Sequence, residues 1–419
     1  NGMPENHIRK MVVDRLTDEI WIETPNHTAY YSVGFEEWYL NEPFPDNRPQ
    51  PDGISPARFP QMFVSPGYHY LPGGSLLGHN LLEYPITETL LDDAEVVWVG
   101  AWGLGAGRAD LRRASLELLP FGPYDSDIGA FTIDGDDFWF TGGGDGMPGA
   151  ISHYDRREDS WEYFEPREHL RINSDQFYVV KHDARNIWLG TELGLVRYDR
   201  KRKGFTSYTH FDGIYGERVT ALLPTRGNVI IGTDIGVSVF DLKRDTIYSA
   251  TEDNLRGRIV LDLELGGKTI YAATDYGIYT LLWGGSFWQR CLESEPVVHG
   301  VVFDIQIVDS LLYAVSDDGV VVVNLNSNDY VLHDRNTRFN NADLRVLLVH
   351  EDVVWAGGAD GLFRLNKKTG NWYQYTPADG LISYHVTSLA ADGQHIWIGT
   401  DKGVTRFLWQ AQWRPDNRE

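Results

Sequence analysis

One short motif recurs along the chain at a nearly constant interval, and this constrains the fold more than any other feature. An apolar strand with a bulky residue is followed by a small Gly-Thr pair and then by a turn glycine, as in 187–194 and 396–403. From Trp188 onward the bulky residue recurs every 41 or 42 residues. A period of about 40–45 residues is typical of β-propellers, in which each repeat forms one four-stranded blade.

Nine copies of the motif define the expected number of blades. The bulky position holds Trp21, Trp98, Trp139, Trp188, Ile230, Tyr271, Tyr313, Trp355 and Trp397. Each interval divides into four strand-like runs separated by turn residues, for example 219–223, 229–233, 237–242 and 246–250. One such sheet cannot bury both faces, whereas a closed ring of sheets can. The sequence therefore predicts an all-β fold, a single closed β-propeller over 1–419, with nine blades favoured and eight if 7–40 lies outside the ring.

The interval between Trp21 and Trp98 is nearly two periods long. Its surplus falls in a Pro/Gly-rich stretch at about 41–84, which ends in an expected hairpin of 68–71 and 75–82 with Gly73 and Gly74 at the turn. We interpret this stretch as an insertion from a blade edge or as a degenerate extra blade.

Composition excludes several classes of partner. The net charge is −23, whereas binding to nucleic acid or to anionic lipid requires clustered Lys and Arg. The excess of acidic residues favours solubility, and a cationic partner, metals included, is the alternative to plain solvation of the surface. No run of 18 apolar residues is present, so no membrane span is expected. The single cysteine, Cys291, allows neither a disulfide framework nor a cysteine metal cluster.

Two segments, 212–222 and 379–389, share the pattern Asp-Gly followed by an apolar residue and, further on, a strand of the form Val-Thr-x-Leu. Each leads to an Ile-Gly-Thr strand end, at 231–233 and 398–400, and then to a Gly-Val pair. This resembles the two-component regulator propeller repeat of bacterial extracytoplasmic sensor proteins, closely over about 173–413, more loosely over 85–172, and in 1–84 only around Trp21. The resemblance implies a propeller, a sensory role and an extracytoplasmic location, but it identifies no ligand.

No catalytic or cofactor motif accompanies the repeats. The patterns H-E-x-x-H, G-x-x-x-x-G-K-[ST] and G-x-S-x-G are absent. The run Asp-Gly-Asp-Asp at 134–137 resembles half of a calcium loop, but it lacks the downstream Glu and sits where a turn between strands belongs. We therefore predict no cofactor and do not favour calcium.

Propeller topology predicts which loops lie together. If the strands of each blade are called A to D in chain order, the D–A and B–C connections share one face, which we call the loop face. The B–C turns carry acidic residues: Glu192, Asp234, Asp275, Asp317, Asp360 and Asp401. The C–D turns are basic, with Arg156, Arg157, Arg200, Lys201, Arg202, Lys203, Lys243, Arg244, Lys367 and Lys368. An acidic loop face is one interpretation, and simple capping of each turn by Asp is the other.

Residues just before strand A should line the mouth of the central channel. They vary in type from blade to blade while the framework residues repeat: Asp175, Glu217, Arg218, Arg258, His299, Asp343, Tyr384 and His385. Irregular polar residues on a regular ring are where a binding site can be built, although ordinary solvated loops would show the same pattern.

Three functions remain open from the sequence. The favoured one is a non-catalytic module that binds a protein or small ligand, as an extracytoplasmic sensor or scaffold. The second is a polysaccharide lyase or hydrolase, which would require Arg218, Tyr384 and His385 to converge in one pocket. The third is a structural subunit of a cell-surface assembly, which an exposed apolar patch of Phe59, Met62 and Phe63 would support.

Overall fold

Short runs of β-branched and aromatic residues, separated by Gly, Asn and Asp turns, fold into antiparallel ladders throughout the computed structural model. The structure describes 10–14, 19–23, 27–32, 37–40, 59, 61–64, 68–78, 83–91, 96–101, 105–119, 122–143, 148–250, 253–285, 287–291, 300–351, 353–367 and 370–409. Two compact units are present, 1–121 and 122–419. The expectation of one domain over 1–419 with an insertion at 41–84 stays a prediction.

The first unit contains two sheets. One is a four-stranded antiparallel sheet of β1 (Lys10–Asp14), β2 (Glu19–Glu23), β3 (Thr28–Ser32) and β4 (Glu37–Leu40). The other has the strand order β5-β11-β10-β9-β8-β7-β6. Its strands are β5 (Phe63–Val64), β6 (Tyr68–Leu71), β7 (Ser75–Gly78), β8 (Glu83–Leu91), β9 (Val97–Ala101), β10 (Gly105–Asp110) and β11 (Ser115–Leu118).

The Pro/Gly-rich stretch contributes to the core of this second sheet. The expected hairpin forms from β6 and β7 and extends the sheet beyond β8, although 79–82 lies outside the described residues. The idea of an exposed apolar patch is wrong for two of its three members. Phe59 and Met62 are buried against Tyr70 and its neighbours, and only Phe63 is exposed.

The second unit contains seven sheets that each continue the repeat. Four strands form each of the first six sheets, in chain order: β12 (Ile128–Asp134), β13 (Asp137–Gly142), β14 (Ile151–Asp155), β15 (Ser160–Phe164); β16 (Phe177–His182), β17 (Asn186–Thr191), β18 (Gly194–Asp199), β19 (Gly204–Tyr208); β20 (Val219–Pro224), β21 (Asn228–Thr233), β22 (Val237–Asp241), β23 (Thr246–Ser249); β24 (Val260–Gly266), β25 (Thr269–Thr274), β26 (Gly277–Leu282), β27 (Gln289–Arg290); β28 (Val302–Val308), β29 (Leu311–Ser316), β30 (Gly319–Asn324), β31 (Tyr330–Asp334); β32 (Leu344–His350), β33 (Val353–Gly358), β34 (Gly361–Asn366), β35 (Asn371–Tyr375). The last sheet shows three strands among the described residues: β36 (Val386–Asp392), β37 (His395–Thr400) and β38 (Gly403–Leu408).

Among the described residues of the second unit, the helical segments are single turns within the connections. They are α1 (Arg335–Arg338) and the 3-10 turns His210–Asp212, Asp253–Leu255 and Pro377–Asp379. Across the described part of the chain, no helix has the length and apolar character needed to cross a membrane.

The seven sheets close into a ring through their innermost strands. Each strand A packs against the next, and β36 returns to pack against β12. At the closure, Thr387 Oγ1 donates to the Ile128 carbonyl at 2.5 Å, and the Phe138 and Trp397 rings lie 4.9 Å apart. The guanidinium of Arg156 joins the same two blades by a 2.6 Å ion pair with Asp392. The propeller fold is thereby confirmed. Nine sheets along the described chain match the nine repeats, and seven of them form this closed ring.

Within the ring, the bulky residue of each repeat fills the space between neighbouring blades. Trp188 is fully buried and meets Phe240 of the next blade at 5.7 Å, and Trp139 meets Tyr198 at 4.9 Å. Trp98, in the first unit, is the exception, with 37% of its surface exposed. The recurrent aromatic residue is therefore mainly a packing element of the framework rather than part of a ligand-binding row.

Candidate functional site

The B–C turns of the ring are closed by the hydroxyl of the Gly-Thr pair. Thr191 Oγ1 donates to the Gly194 carbonyl at 3.0 Å and accepts the Leu193 N–H at 3.2 Å. The same two bonds recur at Thr233, Thr274, Ser316 and Thr400. Threonine or serine therefore fixes these turns locally, which leaves the adjacent acidic side chains for other contacts.

The B–C turn of each blade is also tied to the D–A connection that enters the same blade. The Glu192 N–H donates to the Gln176 carbonyl at 3.2 Å, and the Asp234 N–H donates to the Arg218 carbonyl at 3.1 Å. Equivalent bonds join Asp275 to Ile259, Asp317 to Val301, Ala359 to Asp343 and Asp401 to His385. These bonds hold the two sets of connections side by side on the loop face.

Some acidic side chains of these turns tether the preceding loop. Asp234 Oδ1 accepts the Glu217 N–H at 3.3 Å, and Asp360 Oδ2 accepts the Asp343 N–H at 3.0 Å. Asp275 and Asp401 each retain one buried carboxylate oxygen that has no hydrogen-bond partner among the described residues. Some carboxylates of the loop face thus hold loops in place, whereas others have an oxygen that makes no such contact.

The best-defined cluster of the loop face joins Glu192, Arg218 and Tyr178. Arg218 Nε lies 2.8 Å from Glu192 Oε2, the Tyr178 hydroxyl donates to the same oxygen, and the guanidinium sits 5.4 Å from the Tyr178 ring centre. Burial and the bond to Glu192 raise the pKa of Tyr178 to about 12. The bonds from Arg218 and Tyr178 lower the pKa of Glu192. At neutral pH the cluster therefore holds a neutral phenol and an ion pair.

Two further arginines beside the start of strand A lie against aromatic rings. Arg258, identified from the sequence, lies 4.4 Å from the ring centre of Tyr276. Arg345, which the sequence analysis missed, lies 3.9 Å from the Phe303 ring and pairs with Asp343 at 2.9 Å. Such cation–π contacts are worth about 0.5–1 kcal/mol at exposed sites. They hold the guanidinium groups in fixed positions near the start of strand A.

The remaining predicted residues of the channel mouth are not brought into one group. Tyr384 is 52% exposed and His385 donates its backbone N–H to Ser383 Oγ at 3.3 Å. Arg218 belongs to a different blade, and its side-chain contacts within the described chain are with Glu192 and Tyr178. His299 lies outside the described residues. The described structure thus shows no contact joining Arg218, Tyr384 and His385.

Asp175 lines an open cleft of about 410 Å³ on the loop face. Its walls come from the D–A connection that precedes β16 and from the following B–C turn: Pro166, Arg167, Ile172, Asn173, Ser174, Asp175, Gln176, Glu192 and Leu193. The long B–C connection of the previous blade supports it, because the Gly149 N–H donates to the Asp175 carbonyl at 2.7 Å. This is a volume typical of small-molecule sites.

Charged side chains on strands A of non-adjacent blades interact electrostatically with one another. Lys181 on β16 interacts with Asp262 and Glu264 on β24 and with Asp304 on β28. The Asp262 and Asp304 side chains also bind strand A of the next blade. Asp262 accepts the Ile305 N–H at 3.1 Å, and Asp304 accepts the Leu347 N–H at 2.6 Å. This charged cluster therefore also has a structural role, because two of its members join neighbouring strands A.

Burial sets the protonation of this cluster. It is the largest influence on Lys181 and lowers its pKa, but the attraction of the three carboxyl groups outweighs it, so that the net pKa is raised. Burial, followed by the charge of Asp262, raises the pKa of Asp304 well above its usual range and that of Glu264 to about 7. Asp304 therefore keeps its proton to a higher pH than an ordinary aspartate does, and in that state it donates a hydrogen bond to Asp262.

Because the folded state binds this proton more tightly than the unfolded chain, the stability that it contributes is complete at acidic pH and falls as pH rises above about 4. We expect Asp304→Asn, which stays neutral and keeps both hydrogen bonds, to melt a few degrees higher than the unsubstituted protein at pH 8 and at a similar temperature at pH 4. A change of about 1 kcal/mol moves the melting temperature of a large domain by roughly 2–4 °C. Asp304→Ala, which leaves the Leu347 N–H without its acceptor, is the destabilised control. If Asp304→Asn proved less stable than the unsubstituted chain at pH 8, this assignment would be contradicted.

On the face opposite the loop face, three arginines of the C–D turns are paired with acidic residues of the A–B turns. Asp136 binds both Arg156 and Arg157, at 2.9 and 2.6 Å, and Asp134 binds Arg200 at 2.5 Å. The carboxylates of the Asp-Gly-Asp-Asp run thus serve as partners of arginine. Among the described residues, no three His, Cys, Asp or Glu side chains are arranged to hold a metal ion.

Comparison with known proteins identifies the fold and not a family. No family model matches the chain, and no curated protein matches it. Among solved structures it is similar to PorZ, a bacterial surface component of the type-IX secretion system of Porphyromonas gingivalis, with 14% identity and a TM-score of 0.58 over 97% of this chain and 63% of PorZ. The chain therefore spans less than two thirds of the length of that protein.

Two shorter propellers match about two thirds of this chain. Virginiamycin B lyase from Staphylococcus aureus shares 13% identity with a TM-score of 0.54, over 68% of this chain and 95% of the lyase. The WD40 propeller domain of Doa1 shares 14% identity with a TM-score of 0.53, over 70% of this chain and 96% of that domain. At these identities the likeness shows that the chain has a β-propeller fold.

Proposed function

We propose that this propeller is a non-catalytic binding module that recognises a protein partner through the loop face of its ring. One observation carries the proposal: large apolar side chains are exposed on that face, on turns and strand ends that hydrogen bonds hold in place. They are Leu170, Tyr178, Leu193, Phe211, Ile235, Ile259, Tyr276, Ile382 and Tyr384. Leu170 and Phe211 are 97% and 88% exposed.

The chemistry of this surface suits protein recognition. Tyrosine and arginine are enriched in the energetically dominant part of interfaces, and the loop face combines Tyr178, Tyr276 and Tyr384 with the fixed guanidinium groups of Arg218 and Arg258. Rigid turns reduce the conformational entropy lost on binding. Around these residues, the carboxylates of the B–C turns and the net charge of −23 favour a partner with a basic surface.

A polysaccharide-acting enzyme remains the second candidate, supported only by fold similarity to a lyase. The observations on the loop face favour binding instead. Arg218 is paired with Glu192, and the high pKa of Tyr178 disfavours its use as a base at neutral pH. Turnover of a polysaccharide that is lost on His385→Ala would overturn the non-catalytic assignment.

We further propose an extracytoplasmic location, with a sensory or scaffolding role. The support is the resemblance to two-component regulator propeller repeats, together with the fold shared with a bacterial surface component. The alternative of a structural subunit in a surface assembly loses its original basis, because Phe59 and Met62 are buried. A small cationic ligand bound by the same acidic turns is a further alternative that the next experiment separates from a protein partner.

Photo-crosslinking tests the proposed surface directly. A photoreactive residue at position 193, on the loop face, should crosslink a protein from the native cell envelope, whereas the same residue at position 373, on outer strand β35, should not. Leu193 and Tyr373 are comparably placed for this purpose, at 50% and 39% exposed. The partner recovered at 193 is then purified, and its affinity is measured for two double variants of the propeller. The loop-face variant combines Tyr276→Ser with Tyr384→Ser, and the outer-strand variant combines Tyr330→Ser with Tyr373→Ser.

The loop-face variant should lose at least about tenfold in affinity, equivalent to about 1.4 kcal/mol, while the outer-strand variant should not change. Combined Asp234→Asn, Asp275→Asn and Asp401→Asn should weaken binding most at low salt, since exposed charges are screened beyond about 8 Å at physiological ionic strength. Equal crosslinking at 193 and 373, or equal affinities of the two double variants, would refute the proposed surface.

A further inference from the structure

The cleft beside Asp175 differs from the rest of the loop face in the charges that line it. Arg167 and Asp175 both belong to its walls. The third charged residue of the walls, Glu192, is paired with Arg218. Within the described chain, by contrast, neither the Arg167 guanidinium nor the Asp175 carboxylate has an ion pair or side-chain hydrogen bond, and the two do not reach each other within 4.0 Å. One guanidinium and one carboxylate are thus presented, separated and uncompensated, to the same space.

The wall between these charges is polar on one side and apolar on the other. Asn173 Nδ2 donates to the Leu193 carbonyl at 2.7 Å, and its buried Oδ1 has no partner among the described residues. The Ser174 hydroxyl accepts the Gln176 N–H at 3.1 Å, which fixes the loop that carries Asp175. Leu193, half exposed, adds an apolar surface at the edge. The cleft can therefore contact a molecule with two opposite charges and an apolar side chain.

We propose that this cleft binds an amino-acid zwitterion, either a free amino acid or a short peptide, with its ammonium group at Asp175 and its carboxylate at Arg167. Both ends of such a ligand find a group of opposite charge, and guanidinium is well suited to a carboxylate because it can donate two parallel hydrogen bonds. The side chain of the ligand lies against Leu193. This inference rests on the proposed use of the loop face for binding, and it adds a second, small ligand on that face.

Calorimetric or NMR titration of the full chain with a matched set of ligands tests the proposal. Leucine and the peptides glycyl-leucine and glycyl-glycyl-leucine are the probes, and the free amino acid and the peptides differ in the spacing of their charges. N-acetyl-leucine lacks the ammonium group and leucinamide lacks the carboxylate. We expect at least one zwitterion to bind saturably, and both blocked compounds to bind at least tenfold more weakly than leucine or the preferred peptide.

Two conservative variants should each abolish one preference. Asp175→Asn should remove the advantage of the preferred zwitterion over N-acetyl-leucine. Arg167→Gln should remove the advantage of the same zwitterion over leucinamide. Glu168→Gln, at an exposed position next to Arg167 that does not line the cleft, is the matched control and should bind as the unsubstituted protein does. Loss of folding would weaken the binding of every ligand alike, whereas each variant is expected to remove only one of the two preferences.

Absence of saturable binding by all three zwitterions, or binding of either blocked compound as tightly as the preferred zwitterion, would overturn the proposal. The outcome is separable from that of the proposed function. Retained crosslinking at position 193 without zwitterion binding would refute only the proposed cleft ligand. Zwitterion binding without a crosslinked protein would refute only the proposed protein partner.

Discussion

Replacement of Trp188 with alanine should lower the free energy of unfolding by about 3–5 kcal/mol, the cost typical of deleting a buried aromatic side chain. The indole is fully buried and meets Phe240 of the next blade edge-on. Its Nε1–H also donates to Asp183 at 2.7 Å. The substitution removes contacts from two blades, leaves a cavity between them and deprives the Asp183 carboxylate of one donor. Thermal or denaturant unfolding of the full chain measures the loss.

Two further variants separate packing from hydrogen bonding. Trp188→Phe keeps most of the volume but loses the bond to Asp183, so we expect a smaller loss of about 1–3 kcal/mol. Trp283→Ala removes a tryptophan that is 43% exposed in the connection between β26 and β27, and should cost much less. If Trp188→Ala unfolded at the same temperature as Trp283→Ala, the packing role of the repeated bulky residue would be refuted.

The repeat predicted the blades well because each blade is a local unit. Strands, turns and the bulky core position recur within about 42 residues, and the hydrogen bonds that close a B–C turn involve neighbours such as Thr191 and Gly194. Ring closure depends on contacts that no single repeat contains. The bond from Thr387 to Ile128 joins residues 259 positions apart, and it closes a ring of seven sheets within the second unit. Spacing alone counts repeats but does not determine the angle between blades that decides where a ring closes.

Topology predicted which connections lie together at the candidate site, but it did not predict the contacts of their side chains. Chain order placed the acidic B–C turns beside the residues that precede strand A, and the hydrogen bonds between them show this arrangement. The partners of those residues were missed. Tyr178 and Arg345 lie inside strands, where a sequence pattern does not distinguish a channel-mouth side chain from an ordinary strand residue. Arg167 lies in an irregular loop with no repeated counterpart, and its relation to Asp175 becomes visible only in three dimensions.

Replacement of Gly190 with alanine should destabilise the ring even though it adds a single methyl group. An added Cβ would lie 2.6 Å from the backbone carbonyl oxygen of Val219, the first residue of strand A in the next blade, and 2.6 Å from Val179 Cγ1. Overpacking of this kind costs about 1–3 kcal/mol. The carbonyl cannot rotate away freely because it belongs to the sheet, so the neighbouring blade itself must shift. Gly232 faces Val260 in the same manner, which explains why glycine recurs before the turn hydroxyl.

The direction of the stability change distinguishes overpacking at Gly190 from an effect on the backbone freedom of the unfolded chain. Gly190 has no positive φ, so alanine would stabilise the position slightly if no clash were present, by reducing the freedom of the unfolded chain. Gly227 supplies the matched control, since it also lacks a positive φ and has no atom within 4 Å of an added Cβ. We expect Gly227→Ala to be neutral or stabilising by about 0.4–1 kcal/mol and Gly190→Ala to be destabilising. Equal melting temperatures for the two variants would show that the blades do not approach as closely as this packing requires.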